Sequence, residues 1–174
     1  EFASRVAPLR VGSAEAQLTD ISIISSDGRE TDTIEFDEEV RVRVYFRVDR
    51  TPPEGSSITL GVTDRQGRQI IHFNSAKRGI YISTDAVGKE WLVEFCFRSN
   101  LCPGEYGLIG GIGPHSDNPQ NPSMSVIASV VDYCAGGARF SVKAPRDATG
   151  YDLWGVVHVP YTAEVVCVSE LSNA

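Results

Sequence analysis

Helical periodicity is missing from this chain. No useful stretch repeats apolar residues at a spacing of three to four, which excludes bundles and coiled coils. No apolar run approaches the ~20 residues of a membrane-spanning helix, and the N-terminus has no signal-peptide core. Lysine is scarce, since 13 of the 16 basic residues are arginine, and the formal charge is -7. An acidic chain of this kind is a poor partner for nucleic acid or for an anionic membrane. Arginine suits planar hydrogen bonding and stacking better than lysine does. The four cysteines, Cys96, Cys102, Cys134 and Cys167, are irregularly spaced and contain no C-x-x-C pair. A structural zinc site is therefore not expected, and a chain of 174 residues buries a core without disulfides. There is no N-x-S/T sequon. The compartment reads as reducing and cytoplasmic, with Cys96 a small buried strand residue.

The usual catalytic arrangements are also lacking. Asp37, Glu38 and Glu39 are adjacent in a turn, whereas glycosidase chemistry needs two carboxylates facing each other across a cleft. His72, His115 and His158 are scattered, with no H-x-x-x-H or H-x-H. There is no G-x-S-x-G elbow. The glycines at 107, 110, 111 and 113 lack both a following helix signal and the lysine of a phosphate-binding loop. No catalytic, cofactor-binding or metal-ligating set is assigned, and no cofactor is expected.

What is present is alternation. Val40, Val42, Val44, Phe46 and Val48 alternate with Arg41, Arg43, Tyr45 and Arg47, which makes a half-buried antiparallel strand. Leu18, Ile21, Ile23 and Ile24 mark an earlier strand, and Ile34 with Phe36 a short one. Ile58, Leu60 and Val62 alternate with threonine and glycine. Asp64-Arg-Gln-Gly67 is a hairpin loop leading into residues 68–74. Residues 75–89 are an irregular connection carrying Tyr81. Trp91, Val93, Phe95 and Phe97 share one phase, which places Trp91 in the core and Glu94 on the surface. Leu101-Cys-Pro-Gly-Glu-Tyr106 has the form of a tyrosine corner, in which a tyrosine opening a strand bonds back to the corner backbone. A strand follows over 106–113, then an exposed loop over 114–123, then strands over 126–131 and 138–142. Short strands at this spacing define an all-β, immunoglobulin-like antiparallel β-sandwich.

One domain is expected, over residues 14–168. Residues 1–13 are read as a linker or tag remnant, and 169–174 as a disordered C-terminal tail. The β-prone segment 150–168 is either one more edge strand or a strand exchanged with a second copy. Trp154 and Tyr161 within it serve a dimer interface or the binding site.

Three stretches carry a family resemblance. Residues 58–74 pair two strands around Asp-x-x-Gly, residues 101–108 hold the corner, and Phe140-Ser-Val142 with Gly155-Val-Val-His-Val-Pro160 forms a closing pair. Over roughly 14–162 the chain resembles the C-terminal carbohydrate-binding domain of Wzt-type ATPase subunits in O-antigen polysaccharide ABC exporters. One departure is Asp37-Glu38-Glu39, where a glycine–acid turn is the norm. The resemblance implies a cytoplasmic, non-catalytic module, peripheral to the inner membrane, that recognises the non-reducing end of a lipid-linked O-antigen polysaccharide. It implies homodimers, and a transporter ATPase domain and membrane subunit as partners in the full-length protein. An immunoglobulin-like protein–protein interaction or adhesion domain is the alternative, with a glycan hydrolase behind it.

The phase of the strands separates two faces. One carries Thr59, Thr63, His72, Asn74 and Arg139 over glycines, with Tyr81 as an aromatic plate at its rim. A shallow floor with fixed polar groups suits sugar hydroxyls, so these six residues are the candidate carbohydrate site. The rival face holds Arg41, Arg43, Tyr45 and Arg47 beside Glu94, and reads as cross-strand charge pairing.

Overall fold

Alternating patterns become strands almost wherever they occur. The computed structural model describes residues 1–118, 120–127, 129–147, 149, 151 and 153–158. After a short helix α1 (Phe2–Val6) come β1 (Arg10–Val11), β2 (Ala16–Ile24), β3 (Thr33–Glu35), β4 (Glu39–Val48) and β5 (Ser56–Thr63). Then follow β6 (Gln69–Asn74), β7 (Glu90–Arg98), β8 (Gly104–Asn118), β9 (Asn121–Ile127) and β10 (Asp132–Lys143). Seven strands form one sheet in the order β1-β10-β8-β5-β6, with β3 also on β10 and β9 on β8. The other sheet is β2-β4-β7. Pairing is antiparallel except between β3 and β10. This is the expected immunoglobulin-like sandwich.

The core lies between the two sheets. From β4 it takes Val40, Val42, Val44, Phe46 and Val48, all buried, while the intervening positions stay on the outside. Ile58, Leu60, Val62, Leu108, Ile112, Phe140 and Val142 meet them from the larger sheet. On β2 the buried positions Leu18 and Ile21 are out of period, because a bulge at Thr19, between Leu18 and Asp20, shifts the register. The Asp20 carboxylate caps that bulge by accepting from the Ile21 N–H at 2.9 Å. The corner forms as expected. The Tyr106 hydroxyl donates to the Cys102 carbonyl at 2.6 Å, and burial pushes its pKa up to about 12. Asp37 takes a left-handed φ of 63°, a conformation that costs glycine little. Its carboxylate is anchored by Arg98 at 2.6 and 2.9 Å, which accounts for an acid where a glycine is the norm.

Four sequence readings change. Residues 1–13 do not behave as a linker. Phe2 and Val6 are buried in the core, and β1 pairs with β10. Arg5 donates to the carbonyls of Gly136 and Gly137, so the helix seals the bulge in β10. The loop expected over 114–123 is mostly strand, because β8 runs to Asn118 and pairs with β9. Its polar residues hid a hairpin from a reading based on hydrophobic alternation. Trp91 is not core. It is 41% exposed at the rim, with its indole N–H on the Ala86 carbonyl at 3.1 Å. Cys96 is exposed, on the outward phase of β7. In the β-prone tail, Val157 bridges Leu101 and the Cys102 N–H donates to the Val156 carbonyl at 2.8 Å. Those residues fold back on their own sandwich, whereas positions 150, 152 and 159–168 of the exchange segment, Tyr161 and Cys167 among them, and residues 169–174 lie outside the described residues.

One polar clip joins the sheets. Asp132 on β10 is buried, accepts from the Leu18 N–H of β2 at 2.8 Å, and accepts from Arg10 Nε and Nη2 at 2.9 and 2.7 Å. Arg10 also donates to the Leu18 carbonyl at 3.0 Å. Removing one partner of such a pair strands the other in the interior. Asp132→Ala is therefore expected to lower the unfolding free energy by about 3–5 kcal/mol, measured by denaturant titration. A loss below about 1 kcal/mol would show that the clip is incidental.

Candidate carbohydrate-binding face

The outer face of the larger sheet is laid out in three rungs. Across the first run Asn74, Thr59, Gly111, Tyr133 and Val11. The second holds His72, Gly61 and Ile109, and the third Gln69, Thr63, Gly107 and Arg139. Neighbouring strands lie ~4.8 Å apart and successive rungs ~7 Å apart. Glycine sits on every rung because there is no room for more. A Cβ on Gly111 would come within 2.7 Å of the Thr59 Oγ1, and one on Gly107 within 2.7 Å of the Thr63 Oγ1. A Cβ on Gly61 would meet Ile109 at 2.6 Å. The threonine side chains thus lie down over the glycines and keep the surface low.

The structure brings Thr59, Thr63, His72, Asn74 and Arg139 onto this one face. Thr63 is buried rather than solvated, and Thr59 is half-buried with its hydroxyl donating to the Gly111 carbonyl at 3.3 Å. Tyr81 does not join them. It is 52% exposed on the connection after β6, off the sheet. The aromatic plate of the face is Tyr133, 38% exposed, its ring 3.7 Å from the position of a Gly111 Cβ. Sequence reasoning missed it because the phase of β10 is broken by the bulge between Cys134 and Ala138. The pairing of Tyr133 with Gly111 is the signal that would have found it.

Two depressions flank the rungs. At the β6 edge a cavity of about 910 Å³ opens between the sheets, lined by His72, Asn74 and His115 and by Phe73, Phe95 and Phe97. The other, of about 490 Å³, lies between Thr63, Gly107, Tyr133 and Arg139. In the first, His115 Nδ1 is 2.7 Å from the Gly113 carbonyl and 2.9 Å from the Ser57 hydroxyl. A carbonyl only accepts, so Nδ1 carries the proton. The Ser57 hydroxyl passes the chain on to the Asn74 side-chain oxygen at 3.2 Å. That oxygen also caps the Ala76 N–H at 2.9 Å, so Asn74 fastens the end of β6 as well as facing the cavity. Partial shielding in the cavity, and then the nearby His115, hold His72 below the ordinary histidine value. Among the described residues no group of three His, Cys, Asp or Glu side chains is placed to hold a metal.

The rival face behaves as cross-strand pairing. Arg43 meets Glu94 at 2.8 Å, and this hydrogen bond holds the Glu94 carboxyl below its usual range. Arg47 meets Asp49 at 2.7 Å. These arginines are already occupied.

Residues 8–159 match the description of the Wzt C-terminal domain. The chain belongs to the Wzt C-terminal domain family. Among solved structures it is similar to a crystal structure of the C-terminal domain of Wzt, at 17% identity and a TM-score of 0.69, covering 95% of each chain. It also has a weaker likeness to a Niemann-Pick type C2 protein from the Japanese carpenter ant (12% identity, TM-score 0.44, covering 76% of this chain and 96% of that one). A CARDB domain from Pyrococcus furiosus, solved with two metal ions, is similar at 11% identity and a TM-score of 0.36, over 76% of this chain and 93% of that one. No curated protein matches. Among the described residues of this Wzt C-terminal domain no helix is long and apolar enough to cross a membrane.

Two measurements probe the face directly. Gly111→Ala should cost about 1–3 kcal/mol by overpacking against Thr59, and Thr59→Ala in the same chain should recover most of it. Independent, additive losses would mean that the two do not touch. In an imidazole NMR titration His72 should take up its proton only below the histidine reference of 6.5. The unfolded chain takes up that proton first as pH falls, so below the reference value His72 works against the fold. A His72 pKa at or above 6.5 would contradict the shielded placement.

Proposed function

We propose that this chain is a non-catalytic glycan-binding module that recognises the non-reducing end of a lipid-linked O-antigen polysaccharide for ABC-transporter export. The low outer face of the larger sheet is its site. The observation that carries this reading is the three-rung floor, kept flat by glycine and fringed by His72, Asn74, Tyr133 and Arg139. Sugars need a shallow surface, fixed polar groups and an apolar plate, and membership of the Wzt C-terminal domain family supports the same reading. Thr59 and Thr63 shape the floor, His72 and Arg139 supply hydrogen bonds, and Tyr81 lies beyond the rim. Any ATPase domain and the membrane subunit are partners outside this chain, and the module works in the cytoplasm beside the inner membrane.

Calorimetric titration with O-polysaccharides, including the glycan made by the source's own locus, tests it. Binding without turnover is expected. His72→Ala and Arg139→Ala should each weaken it by on the order of 1 kcal/mol with little change in melting temperature. Asn74→Ala should also lower the melting temperature, because it removes a cap. Silence across the glycans would favour a protein-binding role, to which the exposed Leu9, Val11 and Val130 beside Tyr133 would be suited.

The module is further proposed to act as a homodimer through the segment 150–168. Trp154, 98% exposed, and the half-buried Phe95 and Phe97 on β7, the edge strand of its sheet among the described residues, support a partner there. Light scattering on a chain ending at His158, which keeps the Val157 bridge, should report a monomer. A dimer of that shortened chain would show that residues 159–168 are not part of the interface.

A further inference from the structure

The arginines of this acidic chain are mostly spoken for. Among the described residues Arg10, Arg29, Arg43, Arg47, Arg50, Arg68 and Arg98 each meet a carboxylate. Among the described residues Arg5, Arg41, Arg65, Arg78, Arg139 and Arg146 have no such partner, and of these Arg65 and Arg139 both line the cavity of about 490 Å³ on the outer face. Two acids share the cavity wall. Asp64 is taken by Arg68 at 2.6 Å. Glu105 sits one rung beyond Arg139, opposite Ser141, and makes no ion pair. The register puts Gly107 between Thr63 and Arg139. The low point of the wall therefore lies beside the guanidinium, with Arg65 rising from the hairpin loop two residues past Thr63.

Resting on the glycan-binding reading above, we infer that this cavity takes an anionic stretch of glycan, with a carboxylate or phosphate substituent held by Arg139 and Arg65 and an adjoining sugar ring laid on Tyr133. Arginine presents a planar fork of donors that matches either anion, and a charge-assisted bond is stronger than a neutral one. Tyr133 pairs with Gly111 and Arg139 with Gly107. Four residues of β8 separate those rungs, or ~13 Å along the strand. One sugar does not span that distance, so the site is built for at least two consecutive residues. Glu105 closes the far end to an anion and so fixes the direction in which the acidic residue enters. Leu9 and Ile109 complete the apolar wall.

The test is binding of the whole chain to immobilised acidic bacterial glycans of two kinds, uronate-bearing and phosphate-bearing. Matched neutral forms are made by carboxyl reduction or by phosphatase treatment. Acidic forms should bind at least about tenfold more tightly than their neutral counterparts, with affinity falling as salt is raised. Which acidic series is retained separates carboxylate from phosphate. Arg65→Gln and Arg139→Gln should each remove most of that preference, and Arg139→Gln should also weaken the neutral forms slightly, through the hydrogen bond it supplies to the glycan. Tyr133→Ala should weaken both forms, and Tyr133→Phe neither. Arg41→Gln, an unpaired arginine on the opposite face, is the control. Equal binding of acidic and neutral glycans would overturn the inference and leave the glycan-binding reading intact. So would an equal loss in Arg41→Gln, since the attraction would then be diffuse. No binding to any glycan would remove both.

Discussion

The fold depends on how closely other groups approach the central strand β8. On its inner face Gly110 would set a Cβ 2.6 Å from Leu18 and 3.1 Å from Ile21. Those two side chains belong to β2 in the opposite sheet, so the separation of the sheets at this point is set by a missing methyl group. On its outer face Gly107 and Gly111 leave room for threonine hydroxyls from β5. One strand thus governs both the thickness of the core and the flatness of the exposed surface. Interiors packed to this density pass on the cost of one added methyl. A substitution on β8 is therefore felt on both sides of the sheet.

Charge placement distinguishes the two outer faces. On the smaller sheet Arg43 and Arg47 of β4 are turned into local ion pairs, and such exposed pairs add little to stability. They do consume donors, which leaves that surface with few unsatisfied groups to offer a ligand. On the larger sheet the floor is neutral, and Arg139 is left unclaimed at one side. The polar clip of Arg10, Asp132 and Leu18 holds β1 and β10 against β2, and so fixes the edge on which Tyr133 stands.

Much of the sandwich was legible in the sequence. Strand β4 alternates cleanly because one face is buried and the other is open, and the corner at Tyr106 depends on local geometry that a short motif encodes. The outward phase of Thr59, Thr63, His72, Asn74 and Arg139 followed from the same alternation. What escaped has physical reasons. The bulge at Thr19 breaks the period of β2, and that in β10 hides Tyr133. Phe2 and Val6 are too few to show a helical period, yet they are anchored by tertiary contact. Trp91 shares the core phase of β7 but sits at the strand's end, where the opposing sheet no longer covers it. The meeting of His72 and His115 in one cavity requires knowing that β6 and β8 both flank β5.

The central claim is that ligand lies on the rungs of the larger sheet. Amide NMR on the labelled chain, titrated with the glycan made by the source's own locus, tests it most directly. Saturable shifts should concentrate on Gly107, Ile109, Gly111, Tyr133 and Arg139, leaving Arg41, Arg43 and Tyr45 unmoved. Shifts confined to β4 and β7, with the glycine rungs silent, would contradict it.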